Sequence, residues 1–299
     1  MLQVVRIIHL IVNPKSGIMD NRALTQLACS FFNAKGIKVT IKFTERNGHA
    51  TSLAFSSPYA PGKIICGLGG DGTMHEIING IMQRKPQEQM PVGLLPGGTG
   101  NSFLEDMGLL KFNKALDAIA VGNVKKVDLF KVNMDEKLHY AFNVCGWGLF
   151  ASGNACAESL RWVKRQRYNV AGLWEILRNR RQWARFSYLH QTIEDSFSLI
   201  VASNTRFVGK GMLLSPEARC DDGKMDLTFL KQSDRLALVR MFLKLPNGTH
   251  IDDPNIHYLQ TDSFEIQTPK PTLWNFDGEI HSGKKGQIKV MPSALKVCM

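Results

Sequence analysis

Apolar residues in the first part of the chain recur with two alternating spacings. Short apolar runs, typical of buried strands, alternate with longer segments whose apolar residues fall three and four positions apart, as on one face of a helix. In chain order the pattern predicts a strand at Val4–Val12, a helix at Asn21–Lys35, a strand at Lys38–Phe43, a short helix after Gly48, a strand at Lys63–Cys66, a helix at Met74–Gln83 and a strand at Pro91–Leu95. This alternation indicates a parallel sheet with helices on both faces.

The pattern changes near Val124, after which strand-like segments dominate. They are Val127–Val132, Tyr140–Val144, Ser196–Ser203, Met225–Leu230 and Phe264–Thr268, with one amphipathic helix at Arg235–Leu245. We therefore predict an α/β domain over residues 1–123 and a second, mainly antiparallel β-sandwich domain over residues 124–289. The strand-like tail, residues 290–299, is expected to return to the first domain.

Charge and composition narrow the range of partners and compartments. The 299 residues hold 37 Lys and Arg against 26 Asp and Glu, a formal net charge of +11. This excess favours an anionic partner, such as nucleic acid, an acidic lipid surface or polyphosphate. No apolar run reaches the roughly 18 residues of a membrane span. The six scattered cysteines form no C-x-x-C pair, which favours reduced thiols in the cytoplasm over a zinc site.

Three glycine-rich or polar turns follow three of the predicted strands. They are Asn13–Gly17, Gly67–Thr73 and Pro96–Asn101. Because the carboxyl ends of parallel strands share one edge of a sheet, these turns are expected to form one ligand site there. Asp71 would lie among backbone N–H groups, where a carboxylate can hold Mg²⁺ against a phosphate. Lys15 adds a cation for phosphate, and Thr99 and Asn101 add neutral donors.

Two common nucleotide motifs do not account for these turns. Gly67–Gly72 satisfies G-x-G-x-x-G, but the dinucleotide fingerprint also needs an acidic residue at the end of the next strand. That strand, Pro91–Leu95, ends in Pro-Gly-Gly-Thr instead. The P-loop sequence G-x-x-x-x-G-K-[ST] is absent.

Taken together, the motifs resemble the diacylglycerol kinase catalytic domain, a family that includes bacterial diacylglycerol kinases, sphingosine kinases and ceramide kinases. The resemblance runs from Asn13 to Glu279 with its motifs in the family's order. They are Asn13-Pro14-Lys15-Ser16-Gly17, Thr44-Glu45-Arg46-Asn47-Gly48-His49-Ala50, Gly69-Gly70-Asp71-Gly72-Thr73, Gly98-Thr99-Gly100-Asn101, Cys220-Asp221-Asp222-Gly223-Lys224-Met225-Asp226 and Phe276-Asp277-Gly278-Glu279. The resemblance implies a nucleotide domain similar to those of NAD kinases and phosphofructokinases, a C-terminal lipid-substrate domain and an active site in the cleft between them.

The resemblance also implies site residues and cofactors, namely ATP and Mg²⁺. The residues expected to bind ATP are Asn13, Lys15, Thr44, Gly70, Asp71, Gly72, Thr73, Glu76, Thr99 and Asn101. Glu279 resembles the general base that takes the proton of the lipid hydroxyl, and Asp71 helps to organise Mg²⁺ and phosphates. Asp222, with the backbone carbonyls of Arg219 and Lys224, resembles a structural Mg²⁺ site of bacterial members.

From the residues alone, these later motifs keep plainer interpretations. Asp277-Gly278-Glu279 would also suit a type I′ hairpin turn. If the segment is extended, Asp277 and Glu279 share one face, and Asp277 could support the base. Asp221-Asp222-Gly223 is equally a solvated turn.

The stretch Arg161–Arg185 holds eight arginines and lysines against one acid, Glu175, with Trp162, Tyr168, Trp174 and Trp183 interleaved. The first interpretation is a solvated helical pair whose aromatic residues pack inward. The second is a surface that meets anionic lipid. A nucleic-acid patch ranks below both, because the turns above already explain a mononucleotide ligand.

We therefore predict a cytoplasmic lipid kinase that is peripheral at the membrane, binds a lipid substrate there and binds no nucleic acid; a homodimer stays open. One rival is an NAD kinase, against which the chain lacks a Thr-Gly-Ser-Thr-Ala-Tyr-like segment. The other is a non-catalytic lipid-binding protein that retains the fold. Ser102 stands where many bacterial relatives carry aspartate, so diacylglycerol, a sphingoid base and other lipid alcohols all remain candidate substrates.

Overall fold

A computed structural model describes residues 5–17, 20–159, 167–209 and 211–299. The chain divides into two compact units, one of residues 1–128 with 293–299 and the other of residues 129–292. None of the described helices is both long and apolar enough to cross a membrane.

The first unit alternates strands and helices along the chain. Its elements are β1 (Ile7–Val12), α1 (Asn21–Ala34), β2 (Lys38–Phe43), α2 (His49–Ser56), β3 (Lys63–Gly69), α3 (Asp71–Met82), β4 (Val92–Pro96), α4 (Ser102–Asp106), α5 (Phe112–Val121) and the first part of β5 (Val124–Met134). A short 3₁₀ turn, Pro86–Glu88, precedes β4.

The second unit is dominated by strands. Its elements are the rest of β5, β6 (Lys137–Ala141), β7 (Val144–Gly148), α6 (Leu149–Ser159), α7 (Arg167–Arg178), β8 (Gln182–Tyr188), β9 (Gln191–Ser203), β10 (Phe207–Val208), β11 (Met212–Leu213), β12 (Met225–Lys231), α8 (Arg235–Lys244), β13 (Ile256–Thr261), β14 (Ser263–Phe276) and β15 (Glu279–Cys298), whose last residues belong to the first unit. Two 3₁₀ turns, Leu245–Asn247 and Thr249–Asp252, follow α8.

In the first unit, four strands pair in parallel in the order β2–β1–β3–β4. The end of β15 adds to β4, also in parallel, with Val297 opposite Val92. Strand β3 is buried along its whole length, as expected for a strand covered by helices on both faces. A buried cluster that includes Leu10, Phe32 and Leu68 joins the strands to α1 and α5.

In the second unit, the described strand pairs are antiparallel, which confirms the predicted β-rich domain. Strand β7 pairs with β9 and β14, and β8 pairs with the same two strands, so these four strands form a closed circuit of pairing. Aromatic side chains from all four strands fill one buried cluster, among them Trp147, Phe186, Phe197 and Phe264.

Several predicted elements have different bounds in the structure, and two of these differences have a clear cause. The helix expected from Met74 begins at Asp71, because the extended Gly70 serves as its N-cap and an acidic first turn suits the helix dipole. The strand expected at Tyr140–Val144 is interrupted at Phe142 and Asn143. The cause of this interruption is the Asp277 carboxylate, described below.

Candidate active site

The carboxyl ends of four parallel strands lie at one edge of the first unit's sheet. The strand register places Val12 opposite Phe43 and Leu68, and Gly69 opposite Pro96. The chain therefore leaves these strands side by side, and the turns after β1, β3 and β4 come together as predicted.

Glycines allow the turns to pack backbone against backbone. Gly97 N–H donates to the Gly69 carbonyl at 2.9 Å, and Asp71 N–H donates to the Gly100 carbonyl at 3.1 Å. A Cβ on Gly70 would lie 2.7 Å from the Gly100 carbonyl oxygen, and one on Gly98 would overlap the Gly70 Cα. No side chain fits at either position, so the glycines are needed here for close approach.

Asp71 lies where two helices begin. It is the first residue of α3, and its Oδ2 accepts a hydrogen bond from Ser102 N–H at 2.9 Å, at the start of α4. It therefore belongs to a helical turn rather than to the loop in which the sequence placed it. Its half-buried carboxylate adds negative charge to a region that backbone N–H groups make positive.

A concave surface beside Asp71 is lined by Gly70, Thr73 and Asn101, among others. The Asn101 side chain donates to the Gly98 carbonyl at 3.0 Å. The oxygen of the Asn101 side chain, Oδ1, is buried, and no described residue donates a hydrogen bond to it. The site thus holds an amide oxygen and a carboxylate, the oxygen ligands that Mg²⁺ takes in proteins.

The sequence did not point to Asn21, which joins two of the turns. This side chain is 1% exposed, and its Nδ2 lies 2.8 Å from the Asn13 carbonyl oxygen and 3.2 Å from that of Gly97. The Ser16 hydroxyl oxygen lies 3.1 Å from each of the same two carbonyl oxygens, within reach of either for its single proton. A signal was present, because Asn21 begins the buried face that α1 continues with Leu24 and Ala28, and a polar residue on such a face needs a partner.

Glu76, predicted to bind ATP, has a backbone partner instead. Its two carboxylate oxygens accept from the N–H groups of Gly48 and Ala50, both at 2.9 Å. This pair of bonds fixes the start of α2, where backbone N–H groups lack helical partners. Glu76 therefore anchors the segment that follows Thr44, whose own N–H donates to the Val12 carbonyl at 2.8 Å.

The remaining predicted ATP-binding residues also lie at this edge. Asn13 donates from its side chain to the Thr73 hydroxyl at 3.3 Å and accepts from Lys15 N–H at 3.0 Å. Lys15 and Thr99 have exposed side chains, and Gly72 is the second residue of α3. The edge therefore offers exposed polar groups around a rigid backbone core.

In the second unit, Asp277 and Glu279 lie in very different surroundings. Asp277 is 6% exposed, and its carboxylate accepts from three backbone N–H groups, those of Phe142, Asn143 and Val144, at 2.9–3.0 Å. Asp277 and Gly278 both have positive φ and form the two-residue turn between β14 and β15, as in a type I′ hairpin. The expectation that the two carboxylates share a strand face is wrong, because Asp277 lies in the turn. Glu279, the first residue of β15, is exposed.

The predicted Mg²⁺ residues lie in the turn before β12. Asp222 accepts from Lys224 N–H at 3.0 Å and from the Gln260 side chain at 3.4 Å. Burial raises the pKa of the nearby Asp226 carboxyl, and the negative charge of Asp222 adds to this effect. Among the described residues, no group of three His, Cys, Asp or Glu side chains is arranged for a metal. An ion here would therefore depend on Asp222 together with carbonyl oxygens, such as those of Arg219 and Lys224.

The stretch Arg161–Arg185 is described only in part. Residues 161–166, which include Trp162, and the Tyr168 side chain lie outside the described residues. Trp174 in α7 is 51% exposed and Trp183 in β8 is 44% exposed. For these two residues the expectation of aromatic side chains packed inward is wrong, and Gln182–Tyr188 is a strand rather than a second helix.

Comparisons with known proteins agree with the predicted family. The family profile of the diacylglycerol kinase catalytic domain matches residues 7–132, and that of the YegS C-terminal NAD kinase beta sandwich-like domain matches residues 143–299. The chain is 29% identical to a diacylglycerol kinase of Mycobacterium tuberculosis over 96% of its length and 93% of that protein. It is 23% identical to sphingosine kinase 1 of Arabidopsis thaliana over 95% of its length and 70% of that protein.

Solved structures show the same fold. A diacylglycerol kinase from Bacillus anthracis superimposes with a TM-score of 0.79 at 23% identity, covering 97% of this chain and 96% of that one. An NAD kinase from Archaeoglobus fulgidus in complex with ATP gives a TM-score of 0.51 at 10% identity, covering 98% and 93%. With its catalytic-domain and C-terminal profiles matched in order, the chain belongs to the diacylglycerol kinase catalytic-domain family of lipid kinases.

Proposed function

We propose that this protein transfers the γ-phosphoryl group of ATP to the hydroxyl of a lipid alcohol, in a Mg²⁺-dependent reaction. The observation that carries the proposal is the meeting of three turns around Asp71, at the first turn of α3. Helix N-termini and close-packed glycine turns present backbone N–H groups to phosphate. Relatives named diacylglycerol kinase and sphingosine kinase support the lipid acceptor.

The nucleotide would be held at this edge of the first unit. The residues we assign to ATP are Asn13, Lys15, Thr44, Gly70, Asp71, Gly72, Thr73, Thr99 and Asn101. Lys15 offers an exposed cation for phosphate oxygens, and the rigid glycine backbone fixes the positions of the donors. Glu76 acts on the nucleotide site indirectly, because its carboxylate holds the segment that follows Thr44.

Asp71 and the buried Oδ1 of Asn101 fit a magnesium ion in their donor chemistry. When bound, Mg²⁺ would neutralise charge on the phosphate oxygens. The second assigned ion, at Asp222 with the carbonyls of Arg219 and Lys224, would serve the fold of the turn before β12. It would offset the negative charge of Asp222, which adds to the effect of burial in raising the pKa of Asp226.

Glu279 is the residue we assign as general base. In the proposed reaction the lipid oxygen forms a bond to the γ-phosphorus, the bond to the leaving ADP oxygen breaks, and the hydroxyl proton passes to the Glu279 carboxylate. Its exposure leaves the carboxylate open to a substrate hydroxyl. Asp277 cannot share this role, because three backbone N–H groups already occupy its oxygens.

The proposal is tested with purified protein, ATP, Mg²⁺ and a panel of lipid alcohols in mixed micelles. The panel holds diacylglycerol, monoacylglycerol, sphingosine and ceramide, with NAD as a non-lipid acceptor. We expect one lipid class to be phosphorylated, and Asp71→Asn and Glu279→Gln to lower turnover by a factor of about a hundred or more. Glu136→Gln, an exposed turn acid of the same unit, is the matched control and should keep full turnover.

Other outcomes would separate the rivals. Phosphorylation of NAD alone would make the protein an NAD kinase. No product on any acceptor would favour a binding protein that retains the fold. A folded Glu279→Gln protein with normal turnover would remove Glu279 as the base, while leaving the kinase itself in place.

A further inference from the structure

Helix α7 presents apolar side chains outward. Val170, Leu173, Trp174 and Leu177 are each 46–52% exposed and follow one another at intervals of three, one and three positions, so they form one stripe on the helix. The opposite side of α7 is already buried, through Ala171 and Ile176 among others. A stripe of this kind normally faces a core, whereas each of these four side chains stays about half exposed.

The orientation of α7 is fixed by bonds from the neighbouring segment. Arg235 donates to the Leu177 carbonyl at 2.8 Å, at the last turn of α7. Asn179 donates to the Ser233 carbonyl at 3.0 Å and accepts from Gln232 at 2.7 Å. These bonds keep the helix from rotating its outer stripe into the protein.

Helix α8 packs against α7 and also leaves apolar residues outside. A Cβ on Gly172 would come within 2.9 Å of the Phe242 ring, so the two helices touch there. On α8, Leu236 is 67% exposed and Leu243 is 70% exposed. The exposed apolar area of this part of the unit is therefore larger than the α7 stripe alone.

The charge around the stripe is positive. Over residues 167–185 the sequence has five arginines and one acid, Glu175. That acid is buried and paired with Arg178 at 3.0 Å, and Arg178 also lies over the Trp174 ring at 5.2 Å. Arg178 thus lies beside the stripe, and residues 167–185 contain no exposed acid, a charge balance that complements an anionic surface.

We propose that the outer stripe of α7, Val170, Leu173, Trp174 and Leu177, docks this protein on anionic lipid bilayers. The apolar side chains enter the boundary between head groups and acyl chains, and the neighbouring arginines face lipid phosphates. A second copy of the chain is disfavoured as the occupant, because it would bring the same positive charge to the contact. The inference rests on the proposed function, in which the acceptor is a membrane lipid.

The test measures vesicle binding by the full chain, without ATP and without a lipid-alcohol substrate. Sedimentable vesicles of phosphatidylcholine with phosphatidylglycerol are compared with vesicles of phosphatidylcholine alone. We expect Leu173→Ser/Trp174→Ser to weaken binding to the anionic vesicles by about tenfold or more, because two apolar anchors are lost. Leu27→Ser/Leu110→Ser removes two exposed leucines of the first unit and should bind as wild type does.

Two further variants make the test independent of folding and of catalysis. Trp174→Phe should keep binding but lose most of the tryptophan blue shift that vesicles induce in the wild type. Leu177→Glu should weaken binding to anionic vesicles, since it places a negative charge in the stripe. Turnover on a short-chain lipid alcohol below its critical micelle concentration should be unchanged in Leu173→Ser/Trp174→Ser.

Equal binding of Leu173→Ser/Trp174→Ser and wild type would overturn the docking role. A wild type that sediments as a dimer without vesicles, beside variants that sediment as monomers, would assign the stripe to a second copy and also overturn the docking role. Stripe-dependent vesicle binding in a protein with no kinase product on any lipid would support docking and count only against the proposed function.

Discussion

Asp277 and Glu279, two acids separated only by Gly278, show how burial decides what a carboxylate can do. Asp277 is buried and accepts from the backbone N–H groups of residues 142–144, where the chain breaks between strands β6 and β7. Glu279 is exposed at the start of β15. The same hairpin therefore contains one carboxylate that serves the fold and one that stays exposed.

The two acids should separate stability from turnover. Asp277→Asn replaces one acceptor oxygen with an NH₂ group, which then faces a backbone N–H donor and cannot accept its hydrogen bond. We therefore expect a loss of about 1–3 kcal/mol in unfolding free energy. Glu279→Gln should leave unfolding unchanged and lower turnover. Urea denaturation beside the lipid assay measures both; equal stability of Asp277→Asn and wild type would contradict the structural role of Asp277.

His9 should make the first unit sensitive to mild acid. Its Nδ1 lies 2.7 Å from the Ser57 hydroxyl, and burial, helped by the positive charge of Lys63 and Lys42, lowers its pKa to about 4 from 6.5. Between these values the unfolded chain binds more protons than the folded one, so stability is full above pH 6.5 and falls as the pH drops toward 4.

The check is urea denaturation across this pH range for wild type and His9→Gln. We expect the difference between the two proteins to change over pH 6.5 to 4, with the wild type losing more stability on acidification. Parallel curves for the two proteins would mean that His9 does not titrate in this way.

Single residues of the site could be predicted from the sequence only where their chemistry is specific to a motif. Asp71 stands out because one carboxylate lies among four glycines and a threonine. Asn21 does not, because its role arises when two turns distant in sequence meet around it. Asp277 and Glu279 differ in burial, and the residue pattern at a hairpin turn does not reveal which side chain is buried.

Among the elements, α3 combines two roles. Its first turn carries Asp71, and one turn later Glu76 holds the N-terminus of α2 through Gly48 and Ala50. The position of the segment after Thr44 thus depends on α3, the helix whose first turn we propose to bind phosphate. We therefore expect that a change that removes the two bonds to Glu76 will weaken the proposed binding of ATP.

Glu76→Ala should therefore raise the KM for ATP by about tenfold, since nearby backbone donors lose a charged acceptor worth roughly 1.5–3 kcal/mol. We expect kcat to change less, because Glu76 positions the segment and does not contact the reacting atoms. Asp117→Ala, which removes an exposed acid of α5, is the control. An unchanged KM in Glu76→Ala would contradict the anchoring role.

The elements themselves were largely visible in the hydrophobic pattern. α1, α8, β2 and β4 have nearly the predicted bounds, because their apolar spacing is regular. Strands β3, β9 and β14 extend beyond their predicted bounds. At two places another group decides the conformation: the extended Gly70 begins α3 early, and the distant Asp277 carboxylate ends a strand at Phe142.

At the scale of the whole molecule, the first unit is assembled from the two ends of the sequence. Leu295, Val297 and Cys298 are each at most 2% exposed, Val297 pairs with Val92, and Met299 N–H donates to the Asn123 carbonyl at 2.9 Å. The tail is thus part of the core that supports β4, the strand that leads to the turn at Gly97.

A pair of neighbouring substitutions tests this dependence. Val297→Asp should cost several kcal/mol of unfolding free energy, because it buries an unpaired charge in the core. Lys296→Asp changes an exposed residue and should stay within about 0.5 kcal/mol. Thermal unfolding followed by circular dichroism compares the two, and a similar loss in both would argue against a buried tail.

The location of the tail also sets an order of events during synthesis. A ribosome makes the first four strands of the sheet early, yet the strand that covers the outer side of β4 is translated after the whole second unit. Until residues 293–299 emerge, β4 has an unpaired edge beside apolar side chains, the kind of surface to which chaperones bind. The edge at which we propose that phosphate binds would therefore be among the last parts to mature, although almost all of its residues are among the first to be made.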